Sequence, residues 1–232
     1  MSTNNDMQTS AEATTRKQRA VAELKKRTLH IAILFGAALL FTGAAFLFLR
    51  EPKVESTEQQ EPEGYLNGYR YVDLGLSVKW AEMSVGADEE NPLGDLFAWG
   101  EIASKEEFTL ENYTAPSEKI HSIERKRHHD AATDSFGRGW RMPTHDEVAE
   151  LLEKCTWEPV VTEERCGYLV TGPNGNSIFI ASVDATQPHV ALWSSYATED
   201  RAYAYALEVS EAASGVVTMP AYMGLQVRGV TR

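Results

Sequence analysis

The hydropathy pattern divides the chain into unlike stretches. Residues 28–49, TLHIAILFGAALLFTGAAFLFL, run for 22 positions without Asp, Glu, Lys or Arg. At about 1.5 Å per residue, a helix of that length spans roughly 33 Å, enough to cross the hydrocarbon layer of a bilayer. The pattern predicts one transmembrane helix. A cleavable signal peptide would have a shorter apolar region ending at small residues. Here Gly43-Ala44-Ala45 is followed by Phe46-Leu47-Phe48-Leu49, which argues for an uncleaved signal anchor. Six bases from Arg16 to Arg27 precede the span, and only Arg50 and Lys53 follow closely. The positive-inside rule then makes residues 1–27 a cytoplasmic tail and places the rest in the periplasm or exterior. Residues 50–64, REPKVESTEQQEPEG, have no aromatic residue and read as an acidic, disordered linker. As a coil they would reach on the order of 20 Å.

From Tyr65 to Arg232 short strand-like runs predominate. Tyr69 to Leu74, Val78 to Met83 and Asp95 to Gly100 are candidate strands. GYLVTGPNGNSIFIAS (167–182) predicts a hairpin, with two apolar runs around an Asn-Gly turn. RAYAYALEVS (201–210) alternates, putting Tyr203, Tyr205, Leu207 and Val209 on one face. Leu225 and Val227 alternate in a last strand, and residues 105–138 read as loops with short helical pieces.

One helix is well marked, in GWRMPTHDEVAELL (139–152). Thr144 suits the N-cap, and Glu147 three residues on can complete a capping box. Asp146 and Glu147 occupy the first turn, where the helix dipole favours negative charge. Val148, Leu151, Leu152 and Cys155 then follow on one apolar face. The triplet His145-Asp146-Glu147 looks like a reaction centre, but adjacent helical residues diverge by about 100°. A zinc-protease helix would need a second His at position 149, which is Ala. Helix initiation accounts for all three residues.

Charge narrows the partners. The full chain has a net charge of −12. Residues 50–232 hold 16 bases and 31 acids, a net of −15, which disfavours nucleic acid. The two cysteines, Cys155 and Cys166, lie in the part expected outside, where a disulfide would persist. A bridge is permitted but not required, and two free thiols are the alternative. No nucleophile elbow, phosphate loop or dinucleotide fingerprint is present, so no cofactor is expected. His121, His128 and His129 form a weak cluster inside a charged run; a solvated loop accounts for them, and no metal is expected. LWSSYATEDRAYAY (192–205) has the composition of a recognition surface. Its candidate ligand-binding residues are Trp193, Ser194, Ser195, Tyr196, Arg201 and Tyr203. Aromatic planes of this kind also suit sugars.

The strings YVDLGLSVKWA (71–81), GDLFAWGE (94–101), GWRMPT (139–144), LLEKCTW (151–157), GYLVTGPNGNSIFI (167–180), LWSS (192–195) and GLQVRGV (224–230) resemble the Fibrobacter succinogenes major paralogous domain of Bacteroidetes. The WRMPT element is also similar to one in formylglycine-generating enzymes, whose fold is a variant of the C-type lectin fold. The resemblance implies an α+β, C-type-lectin-like domain with few regular elements, long loops and neighbouring terminal strands. The catalytic cysteine pair of those enzymes is missing, as are the calcium motifs of true C-type lectins. In related variable proteins, ligands meet side chains near the C-terminus of the fold, which adds Tyr222 and Gln226 to the candidates.

The expected function is that of a non-enzymatic binding module. It would be a single-pass membrane protein displaying a domain that recognises an envelope glycan or protein. A structural subunit of an envelope assembly and an enzyme on the same fold, with a metal at the three histidines, are the alternatives.

Overall fold

A computed structural model describes residues 64–116 and 120–232. The expected tail, transmembrane helix and nearly all of the linker lie outside these residues. Among the described residues, no helix is long and apolar enough to cross a membrane.

The described part is α+β and mainly β. In chain order the elements are β1 (Tyr65–Leu66), β2 (Tyr69–Val72), β3 (Lys79–Ala81), β4 (Leu96–Phe97), α1 (Ala131–Phe136), α2 (His145–Lys154) and β5 (Thr156–Val161). Then come β6 (Cys166–Thr171), β7 (Ser177–Ala181), β8 (His189–Ala197), β9 (Tyr203–Ser210), β10 (Ser214–Pro220), β11 (Leu225–Gln226) and β12 (Val230–Thr231). They form three sheets, ordered β1-β2-β3-β12, β10-β9-β8-β11-β4 and β5-β6-β7. In the first, Val230 pairs with Trp80, so the early and late ends of the described chain share one sheet.

The five-stranded sheet is packed on both faces. Along β8, Val190 and Leu192 point to one core while Ala191 and Trp193 point to the other. Along β9, Leu207 and Val209 share the first core with Val148 and Leu151 of α2, and Ala204 and Ala206 belong to the second. Period-two alternation therefore feeds two cores at once. Four tryptophans, Trp80, Trp99, Trp140 and Trp193, are fully buried. Three have paired indoles: Trp99 donates to the Ser194 carbonyl at 3.1 Å, Trp140 to Leu66 at 3.0 Å and Trp193 to Phe97 at 2.7 Å. Each indole thus ties a loop or strand to one distant in sequence.

The hairpin expected over 167–182 is present as β6 and β7, and Gly175 takes a φ of 86° in its turn. Only glycine adopts that conformation without strain. The 155–166 excursion also turns back, as the β5–β6 hairpin. Its Thr162–Arg165 turn lies beside Cys166, whereas Cys155 precedes the far end, where Thr156 pairs with Thr171. Five strand steps of about 3.3 Å separate those ends by roughly 16 Å, well beyond disulfide reach. The possible Cys155–Cys166 bridge is therefore corrected: both cysteines are free.

Candidate functional site

The site begins with an irregularity in β8. Trp193 pairs with Ala206 and Ala197 with Ala204, so four steps on β8 face two on β9. The extra length bulges out and is fixed by its own backbone. Ser195 donates its N–H to the Pro143 carbonyl at 2.7 Å and accepts from the Ile123 N–H at 2.9 Å. Ala197 donates to the His121 carbonyl at 2.9 Å. The bulge thereby joins the sheet to the start of α2 and turns Tyr196 outward, 37% exposed.

Helix α2 supplies the other wall. Thr144 caps it as expected: its hydroxyl accepts from the Glu147 N–H at 3.2 Å, and its own N–H donates to Glu147 Oε2 at 2.8 Å. The Glu147 carboxylate turns inward to a two-pronged pair with Arg141, at 2.7 and 2.6 Å. Arg141 is buried and also lies 3.1 Å from Glu124. Burial pushes the Glu147 carboxyl upward, but its bonds to Arg141 and Thr144 prevail and hold it below the usual glutamate range. Glu147 is therefore structural.

His145 and Asp146 are not needed for the cap. The His145 ring meets Tyr205 edge-on, with centroids 4.9 Å apart. His145 Nδ1 lies 3.2 Å from Asp146 Oδ1, and the Asp146 side chain is 98% exposed. Thr144, His145, Asp146, Tyr196 and Tyr205 line one cleft of about 350 Å³. Two phenol rings, an imidazole and an exposed carboxylate give apolar faces beside polar acceptors.

The other sequence candidates divide. Trp193, Ser194, Ser195 and Gln226 are fully buried and are withdrawn as ligand contacts. Trp193 fills the core and spends its indole N–H on Phe97. The Ser194 hydroxyl accepts from the Tyr196 N–H at 3.3 Å, while Ser195 spends its backbone groups on the bulge and its buried hydroxyl has no hydrogen-bond partner among the described residues. Gln226 accepts from the Ser84 hydroxyl at 3.0 Å and donates to the Ala181 carbonyl at 2.8 Å. Tyr203 is exposed, while Arg201 and Tyr222 are half-buried. Arg201 holds a φ of 57° and reaches the Pro116 carbonyl at 3.4 Å. These three gather where Ala221 bonds to Ala202 at 2.9 Å, outside the lining of the cleft.

Tyr205 closes the 192–205 stretch read from sequence as a recognition surface, whereas Thr144, His145 and Asp146 were not singled out as ligand contacts. The available signal was that a capping box uses only its first and fourth residues, leaving the two between them free to face outward. At the histidine cluster, His129 Nδ1 is 3.0 Å from the Gly100 carbonyl and His128 is exposed. Among the described residues, no group of three His, Cys, Asp or Glu side chains is placed to hold a metal ion. Comparison of the chain with protein-family models, with curated proteins and with solved structures gives no match.

Proposed function

We propose that residues 65–232 form a binding module that recognises an envelope glycan or protein through the Tyr196–Tyr205 cleft. The observation that carries this reading is the pairing of two accessible tyrosines with the exposed Asp146 carboxylate and His145 in one cleft. Aromatic faces stack on the C–H face of a sugar or on an apolar side chain, and the carboxylate accepts hydrogen bonds from hydroxyl or amide groups. The C-type-lectin-like reading is supported by the shared sheet of the early and late strands. In this proposal the segment 28–49 anchors the module in the cytoplasmic membrane with the N-terminus inside, and the acidic linker holds it off the bilayer. No covalent chemistry is invoked.

The test is a glycan array and an envelope-extract pull-down with the full chain, alongside Tyr196→Ala and Asp146→Asn. Each variant should weaken capture at least about tenfold, the loss expected of a central contact worth about 1.4 kcal/mol. Both residues are exposed, so folding should persist. Undiminished capture by the two variants would remove this cleft from the function.

A further inference from the structure

A second cleft, lined by other residues, has a different charge character. Residues 64–232 hold 26 Asp and Glu against 14 Lys and Arg, a net of −12. Yet five of the nine arginines in this stretch line a single cleft of about 680 Å³. Arg141 is compensated by Glu147 and Glu124. The other four, Arg125, Arg127, Arg138 and Arg232, are exposed. Glu124 lies 3.7 Å from Arg125, but the same carboxylate oxygen is closer to Arg141. Asp134 reaches Arg127 only at 3.5 Å. Among the described residues, Arg138 and Arg232 have no salt bridge.

The lining segments are pinned by hydrogen bonds between them. Asp130, fully buried, accepts from Arg125 N–H at 2.9 Å, Thr133 N–H at 2.9 Å and Met142 N–H at 3.0 Å. One carboxylate therefore fixes the Arg125 loop, α1 and the Arg141–Met142 segment relative to one another. Arg125 is held at a φ of 59°, a conformation that L residues seldom adopt and that persists only when its surroundings impose it. Asn67 Nδ2 donates to the carbonyls of Phe136 and Arg138 at 2.9 and 2.8 Å, fixing the Gly137–Gly139 loop. Arg141 and Val230 exchange backbone bonds at 3.2 and 2.8 Å, which secures the floor.

We infer that this cleft is an oxyanion-binding site that takes a phosphate or carboxylate group of a small ligand. Guanidinium forks match such oxyanions in two-pronged geometry, and a rigid rim loses little freedom on binding. A nucleic-acid polymer is a poorer fit, because beyond the cleft it would meet acidic surface.

The experiment is isothermal titration calorimetry of the full chain in detergent, at fixed ionic strength, with inorganic phosphate and with glucuronate as separate probes. The inference expects saturable one-site binding of at least one probe, and the tighter probe identifies the ligand group. An Arg127→Gln/Arg138→Gln variant should bind at least about tenfold more weakly, whereas Arg165→Gln, outside the cleft, should change affinity less than about twofold. Absence of saturable binding to either probe overturns the inference. So does equal weakening by Arg165→Gln, which would mark a diffuse field rather than a site.

Discussion

Trp193 and Tyr196 are three positions apart in β8, yet one is sealed in the core and the other is a third exposed. Replacing Trp193 with Ala should cost about 3–5 kcal/mol, through lost apolar burial and the cavity left behind. Replacing Tyr196 with Ala should change stability by less than about 1 kcal/mol. Urea unfolding of the two variants distinguishes these outcomes. The sequence marked both aromatics as a recognition surface because composition does not report burial. The residues between them hold the reason. Ser194 and Ser195 break the two-residue period, and only the backbone bonds to Pro143 and Ile123 reveal which side each ring takes. Gln226 misled in the same way, since a polar residue at a sheet centre looks like a contact until its buried partners, Ser84 and Ala181, are located.

Helix α2 and the β6–β7 hairpin were legible because their signals are local. A cap, a first-turn acid and an i, i+3, i+4 stripe lie within nine residues. The Asn174-Gly175 turn is read from two. Substituting Thr144 with Ala should destabilise the protein by about 1 kcal/mol. A fall in the urea midpoint without a change in slope would register that loss, and an unchanged midpoint would count against the cap. Other elements have no such local signature. β10 is an edge strand ending at Pro220, and its burial pattern does not alternate. β11 and β12 are two residues each and exist through their partners. The hairpin at the cysteines was half legible: reversal was foreseeable from length, but the position of its turn decided that the thiols lie apart.

For the molecule as a whole, composition concealed the distribution of charge. An acidic total predicted an acidic surface, while the fold gathers arginines from 125–141 and the C-terminal residue around one cleft. The buried acids also set the response to pH, with opposite signs. Glu147 has its carboxyl lowered from the ordinary 4.5, so it contributes stability above that pH, lost as pH falls through its folded value. Burial raises Asp130 above its ordinary 3.8 despite three N–H bonds, so protonating it favours the fold. Urea unfolding between pH 7 and 3 should therefore show a flatter acid limb for Glu147→Gln than for the wild type. Parallel limbs would remove Glu147 from that response. The sheet β1-β2-β3-β12 has a further consequence, for the order of events during synthesis. Three of its strands emerge from the ribosome early, but the strand that covers β3 comes more than 140 residues later. Trp80 and Leu74 thus wait for Val230 before their core closes. The domain completes its fold only after Val230 has been made, and the nascent polypeptide stays unfinished, and threadable, until then.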